Sequence, residues 1–215
     1  METTPSRKQL THERIVDAAA RALRDTGFAG VGVAGVMQQA GLTHGGFYAH
    51  FASREALLAE ALEHAGRHSA QRLRRTIAAG EARGLTAFQA LVEGYLSERH
   101  LRAPEAGCPV AALASEMPRQ PEAVRRAAAM RVESLLATVE ATLPEGCPRD
   151  MAAAVAGQLV GSLQLARALG DGAQGHRHLA TARRLLLEQV AASAGRPKER
   201  NPSRSDSTDD AGVRQ

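Results

Sequence analysis

Apolar positions recur along this chain with a helical period from near its start to near its end. Val33, Val36, Met37 and Ala40 fall at i, i+3, i+4 and i+7, the spacing of one helix face. Ile15, Ala18, Ala19, Ala22 and Leu23 make an earlier stripe, and Leu57, Leu58, Ala61 and Leu62 a later one. The pattern predicts a first helix beginning after Thr11 and ended by Gly27, and a short second helix opening after Gly32. Glycine at that cap position costs only a few tenths of a kcal/mol relative to a good cap. Gly41 suits the left-handed position that stops the second helix. Thr43 is a good N-cap for the third, its hydroxyl placed to accept a backbone N–H. Phe47 and Phe51, four apart, face inward on that third helix, whereas His44, Tyr48 and His50 face outward. A fourth helix starts after Ser53 and either continues past or breaks near Gly66.

The later pattern stays helical, over about Ala87–His100, Pro109–Met117 and Glu122–Leu143, with Pro104, Pro109, Pro118, Pro121, Pro144 and Pro148 at the breaks. Two last helices span about Arg149–Leu169 and Gly175–Ala192. In the first of these Ala153, Gly157 and Gly161 recur every four positions, a spacing that lets another helix backbone come close. Strand signals are nearly absent, so the fold class is all-α. The expected organisation is a flexible basic arm (1–10, with Arg7 and Lys8), an N-terminal three-helix domain (11–62), a helical domain (63–194) and a tail. That tail, 195–215, is rich in Pro, Ser and charge and is expected to be disordered.

Composition narrows the core and the compartment. Aromatics make up 3% of the 215 residues and Trp is absent, so the core is built from Leu, Val and Ala. A net charge of +4 and a pI near 9.7 are compatible with a polyanionic partner without requiring one. No apolar run approaches the roughly 18–20 residues of a membrane span, and the N-terminus lacks a signal-peptide core. A cytoplasmic protein with no membrane partner is expected. Two cysteines, Cys108 and Cys147, are too few for a disulfide framework. His64 with His68 and His176 with His178 have zinc-compatible spacing but lack third and fourth ligands nearby, so no metal is expected. There is no nucleophile elbow, phosphate loop or framed carboxylate pair, which argues against an enzyme and against a cofactor.

The segment GLTHGGFYAHF, residues 41–51, reads as the turn and second helix of a helix-turn-helix spanning about 32–51. Together with the Gly27–Phe28 pair, the run Tyr48-Ala49-His50-Phe51 and the capped pair Ser53–Arg54, it makes residues from about Thr11 to Leu62 resemble the N-terminal domain of TetR/AcrR-type transcriptional regulators. The resemblance implies a helix lying in the major groove of double-stranded DNA. It also implies that Thr43, Tyr48, His50 and Arg54 hold phosphates, which sets register without reading sequence. His44, Gly45, Gly46 and Ala49, with Ala34 from the second helix, remain to meet base edges. Two glycines in a first helical turn cost roughly 1 kcal/mol each, a cost easier to understand if the backbone lies very near DNA. By the same resemblance the last two helices form a homodimer as a four-helix bundle, and the C-terminal domain binds a small-molecule effector. The expected function is a repressor that binds a palindromic operator as a dimer and is released by a small-molecule or thiol-reactive effector. The alternative is a helical activator or protein-binding module.

The effector site is drawn less sharply. Phe88 and Tyr95 are the aromatic residues of the second domain, which favours a smaller or aliphatic ligand over a flat polycyclic one. Candidate lining residues are Phe88, Tyr95, His100, Met117, Met130 and Gln164. Cys108 joins them, because Pro109 fits a first helical position and a sulfur at a helix N-terminus is favoured as thiolate. The Gly107–Cys108 segment also resembles that of a subgroup in which some members respond to electrophiles or oxidants through the cysteine. The other reading of Cys108 is a small buried hydrophobe. Cys147 has similar surroundings at the start of the next helix, and pairing of the two thiols stays open.

Overall fold

The structure, a computed structural model, describes residues 6–194; the expected tail lies outside them, as do the first five residues of the expected arm. Helix α1 spans Arg7–Gly30 and starts earlier than its apolar stripe implies. The reason is local: the Ser6 hydroxyl accepts the Gln9 N–H at 3.2 Å, so Arg7 and Lys8 belong to the first helical turn. Gly27, at φ +73°, kinks the end of this helix. Helix α2 covers Val33–Gln39. The segment expected as the third α-helix, His44–Ala49, is a tighter 3₁₀ helix. Gly45 and Gly46 lower the α-propensity of that short stretch, and Thr43, although at its N-cap position, makes no side-chain capping bond. Instead the Thr43 carbonyl accepts the Gly46 N–H at 3.1 Å.

Helix α3, Arg54–Glu81, runs unbroken through Gly66. Its first turn is capped by Ser53, whose hydroxyl accepts the Ala56 N–H at 3.2 Å. The helix packs against α1 with one end and against α4 (Ala87–Tyr95) and α7 (Glu122–Glu140) with the other, so one rod joins the N-terminal unit to the rest. Ile15, Ala19 and Leu23 of α1 meet Val36 and Met37 of α2, Phe47 and Phe51, and Leu57, Leu58 and Leu62 of α3 in the buried interior. Burying each such large apolar side chain is worth about 1.5–3 kcal/mol, which is what holds short helices that are marginal alone.

The expected helix over Ala87–His100 is two. Ser97 ends the first by accepting the His100 N–H at 3.2 Å and so capping α5, Glu98–Arg102. Helix α6 is short, Pro109–Leu113; a turn over 114–116 replaces the rest of the expected helix and leads into a 3₁₀ turn at Met117–Arg119. Helices α8, Met151–Leu169, and α9, Ala173–Ala194, close the described chain and pack on each other. Among the described residues no helix is long and apolar enough to cross a membrane.

Candidate nucleic-acid interface and ligand cavity

Gly41 turns the chain at φ +68°, and the N–H groups of Gly41 and Leu42 bond back to the carbonyls of Gln38 and Met37, each at 2.9 Å. The Arg14 guanidinium reaches from α1 and donates to the Ala40 carbonyl, fixing this turn to the first helix. Beyond it, Phe47 is buried and stacks on Phe51 with ring centroids 5.5 Å apart. With that side anchored, the opposite side is turned out. Tyr48 is 74% exposed, and Thr43, His44, Gly45 and Ala49 are exposed with it, as is Ala34 on α2. Gly46 and His50 are half-buried. A Cβ added at Gly45 would meet nothing within 4 Å, and one at Gly46 only Met37 Cε at 3.6 Å. The fold itself therefore has room for side chains at both glycines.

His50 faces His12 across 5.8 Å, and His12 stacks on Phe51 at 4.5 Å while its Nε2 pairs with Glu60 Oε1 at 2.7 Å. Desolvation, followed by the charges of His12 and Lys8, lowers the His50 pKa. His50 Nδ1 is buried with no hydrogen-bond partner among the described residues.

Arg54 departs from its expected phosphate-facing position. Its Nε donates to the Val31 carbonyl at 3.0 Å and its Nη2 to the Phe28 carbonyl, so the side chain is turned inward. The kink at Gly27 leaves carbonyls at the end of α1 without helical partners, and Arg54 supplies the donors. On the same link the Phe28 N–H donates to Glu116 Oε2 at 3.0 Å. Gly27 is favoured there by its positive φ, and a Cβ would lie 2.5 Å from Glu116 Oε1, so the carboxylate would have to shift. Nothing in the helical pattern singles out Glu116, whose partner is 88 residues away.

Three of the expected effector residues, Tyr95, His100 and Cys108, do come together. They line a cavity of about 770 Å³, counting its open mouth, between α3, α4, α5, α7 and the loop at 103–108. Its remaining lining includes Arg72, Arg99 and Arg131, hydroxyls from Ser69, Thr76, Ser134 and Thr138, and apolar walls from Leu73, Pro109, Val110 and Leu135. His100 is held as a neutral ring: Nδ1–H donates to the Tyr95 carbonyl at 2.7 Å, and Nε2 accepts the Cys108 N–H at 3.0 Å. Burial pushes its pKa down to about 4 against the opposing pull of the Tyr95 carbonyl, with Arg167, Arg72 and Arg99 adding to the lowering. The Tyr95 hydroxyl is buried and meets no geometric hydrogen-bond partner among the described residues; burial, followed by the neighbouring Cys108 thiol, pushes its phenol pKa well above the usual value.

Phe88, Met117, Met130 and Gln164 do not line this cavity. Phe88 lies two turns from Tyr95 and is spent in the core, as is Met117, while Met130 is 51% exposed and Gln164 is half-buried on α8. The arginines escaped the sequence reading because exposed helix charges are ordinarily solvated. A signal was present, since Arg72, Arg99 and Arg131 each lack an acidic residue three or four positions away. Cys108 is buried at the N-cap position of α6, a helix of only 5 residues. Cys147 is not at a helix start; its Sγ lies 3.9 Å from the Val190 carbonyl, and α8 begins after Asp150. The two thiols are unbridged.

The cavity and the N-terminal unit touch. The turn at Pro104–Ala106 packs on α1, and buried Arg24 of α1 donates from Nη1 to the Gly107 carbonyl at 3.4 Å, beside the cavity. Burial, with Arg72 nearby, lowers the Arg24 pKa to about 10, leaving it charged at neutral pH.

Comparison with known proteins places these surfaces in context. Residues 15–61 match the family model for bacterial regulatory proteins of the tetR family, and residues 84–185 match that for the tetracyclin repressor-like C-terminal domain. An uncharacterised HTH-type transcriptional regulator of Mycobacterium tuberculosis is 31% identical over 171 residues, covering 74% of this chain and 85% of the relative. Among solved structures, a TetR-family regulator from Cytophaga hutchinsonii superposes with a TM-score of 0.70 at 16% identity, over 91% of this chain and 100% of that one. The reduced form of E. coli NemR does so with a TM-score of 0.67 at 20% identity, over 83% and 96%. At these identities the structures show a shared fold.

Proposed function

Because this chain belongs to the TetR family of bacterial transcriptional regulators and carries its helix-turn-helix DNA-binding domain, we propose that it is a repressor that binds a palindromic operator as a homodimer and is released by a small-molecule effector. The observation that carries the reading is the outward surface of Thr43–Ala49, held by the buried Phe47 and bearing Tyr48 at 74% exposure. Thr43, Tyr48 and His50 are assigned to phosphates, and His44 to a base edge in the major groove. The vacant space around Gly45 and Gly46 supports their role as points where the DNA comes close to the backbone, since internal packing does not demand glycine there. Part of the specificity then comes from Ala49 and Ala34 against thymine methyls and from DNA shape. Arg54 acts from behind this surface, by holding the end of α1.

The homodimer is assigned to α8 and α9. Ala153 and Gly157 are exposed, Gly161 is half-exposed, and nothing lies within 4 Å of a Cβ at either glycine. Leu165, one turn beyond Gly161 on α8, is 57% exposed, and Leu185 on α9 is 50% exposed. An apolar, small-residue face of this kind suits close approach by a symmetry mate. Release is assigned to the cavity, whose loop at 103–108 touches α1. A ligand that binds one arrangement of that loop better than another shifts the spacing of the two reading heads.

The test is a salt-dependent gel shift of the full-length protein on DNA upstream of its own gene, paired with a reporter assay. Binding that weakens with salt, together with lower reporter output, is the expected result. Absence of binding would remove the DNA role, and raised reporter output would make the protein an activator.

A further inference from the structure

The geometry points to a small organic carboxylate as the ligand of the cavity, an inference that rests on reading the cavity as the effector site. Each fully ionised side chain in its lining is an arginine, Arg72, Arg99 or Arg131, and among the described residues no aspartate or glutamate lines it, Glu105 of the 103–108 loop standing outside the lining. Among the described residues none of the three forms an ion pair. His100 adds no compensating or further charge at neutral pH, since it is held neutral by its two hydrogen bonds.

Arg131 is the most telling of them. Its side chain lies against α3 at Gly66, where a Cβ would collide with it, so the helix opposite has been hollowed to admit it. Its Nε is buried with no partner among the described residues. A buried guanidinium donor left unmatched is costly, and the acceptor that suits its planar fork is a carboxylate or phosphate oxygen pair. The rest of the lining selects between these. Leu73, Pro109, Val110 and Leu135 provide apolar walls that an inorganic anion would leave unused, whereas an organic acid covers them with its hydrocarbon body. The buried hydroxyl of Tyr95 offers a second polar contact to such a ligand.

The probes are acetate, benzoate and octanoate, each set against its own amide and against inorganic phosphate, in calorimetric titration of the full-length protein. At least one carboxylate should bind saturably and at least tenfold more tightly than its amide and than phosphate. Arg131→Met, which keeps the packing volume, and Arg99→Gln, at the exposed rim, should each weaken that binding about tenfold, the loss of one charge-assisted contact. Equal binding of amide and carboxylate, equal binding of phosphate, no saturable binding of any of the three acids, or unchanged affinity in both variants would overturn the assignment. A gel shift run in parallel without ligand reads the DNA-binding proposal separately. Normal operator binding with no carboxylate preference rejects only the ligand class.

Discussion

Arg54 shows how one residue type at one position carries two meanings. As a cation at the start of a helix it is unfavourable for the helix dipole, and a phosphate contact would explain it. The structure gives it another use, donating to the carbonyls of Val31 and Phe28. Arg54→Ala is therefore expected to cost about 1–3 kcal/mol of stability, measured by urea denaturation, with the salt slope of DNA binding little changed. A stable variant with a flattened salt slope would return Arg54 to the phosphate. His100 makes a prediction in pH. Its pKa falls from the usual 6.5 to about 4 on folding, so below pH 6.5 the unfolded chain takes up a proton that the folded one refuses. The stabilisation is complete above about pH 6.5 and is lost as pH falls towards 4, amounting to at most about 3 kcal/mol. Denaturation at pH 7 and pH 5 should show a larger loss for the wild type than for His100→Gln, and equal losses would contradict the assignment.

At the level of elements, the helices whose buried face repeats locally are legible in the sequence. The stripes through Ile15–Leu23, Val33–Ala40 and Leu57–Leu62 each became a buried face. Boundaries were less legible where a hydroxyl competes for the backbone: Ser6 lengthens α1, and Ser97 splits the expected helix before His100. The segment at 44–49 took 3₁₀ geometry because its two glycines weaken the α-helix at six residues' length. Helix α8 carries the prediction that belongs to this scale. Gly157→Glu places a charge on an exposed face with no neighbour within 4 Å, so the subunit should fold normally. Light scattering should find the wild type dimeric and this variant monomeric, and a dimeric variant would move the interface elsewhere.

Over the whole molecule, α3 passes from beneath the outward Tyr48 surface to the wall of the cavity, and two further contacts tie the halves together. Arg24 meets the Gly107 carbonyl beside the cavity, and Glu116 holds the Phe28 N–H beside Arg54. Coupling between two sites is a free energy distinct from affinity at either. Glu116→Ala should leave carboxylate binding and unliganded DNA binding within about twofold of wild type, while shrinking the carboxylate's effect on DNA affinity several-fold. Gel shifts with and without benzoate or octanoate, whichever binds, measure this. An undiminished effect would assign the coupling to the remaining links, α3, Arg24 and the packing of the Pro104–Ala106 turn on α1.

What the sequence by itself determined is what local chain physics controls: helices from periodicity, the turn at Gly41, the inward Phe47 and Phe51, and the outward Thr43–Ala49 surface. Tyr95, His100 and Cys108 were legible as candidates, but not their shared cavity. Tertiary structure alone decided that Arg72, Arg99 and Arg131 surround that cavity without a carboxylate, that Arg54 points inward, and that Glu116 reaches Phe28. Those facts depend on pairs tens of residues apart, whose meeting is set by how whole helices pack rather than by the spacing of side chains along any one of them.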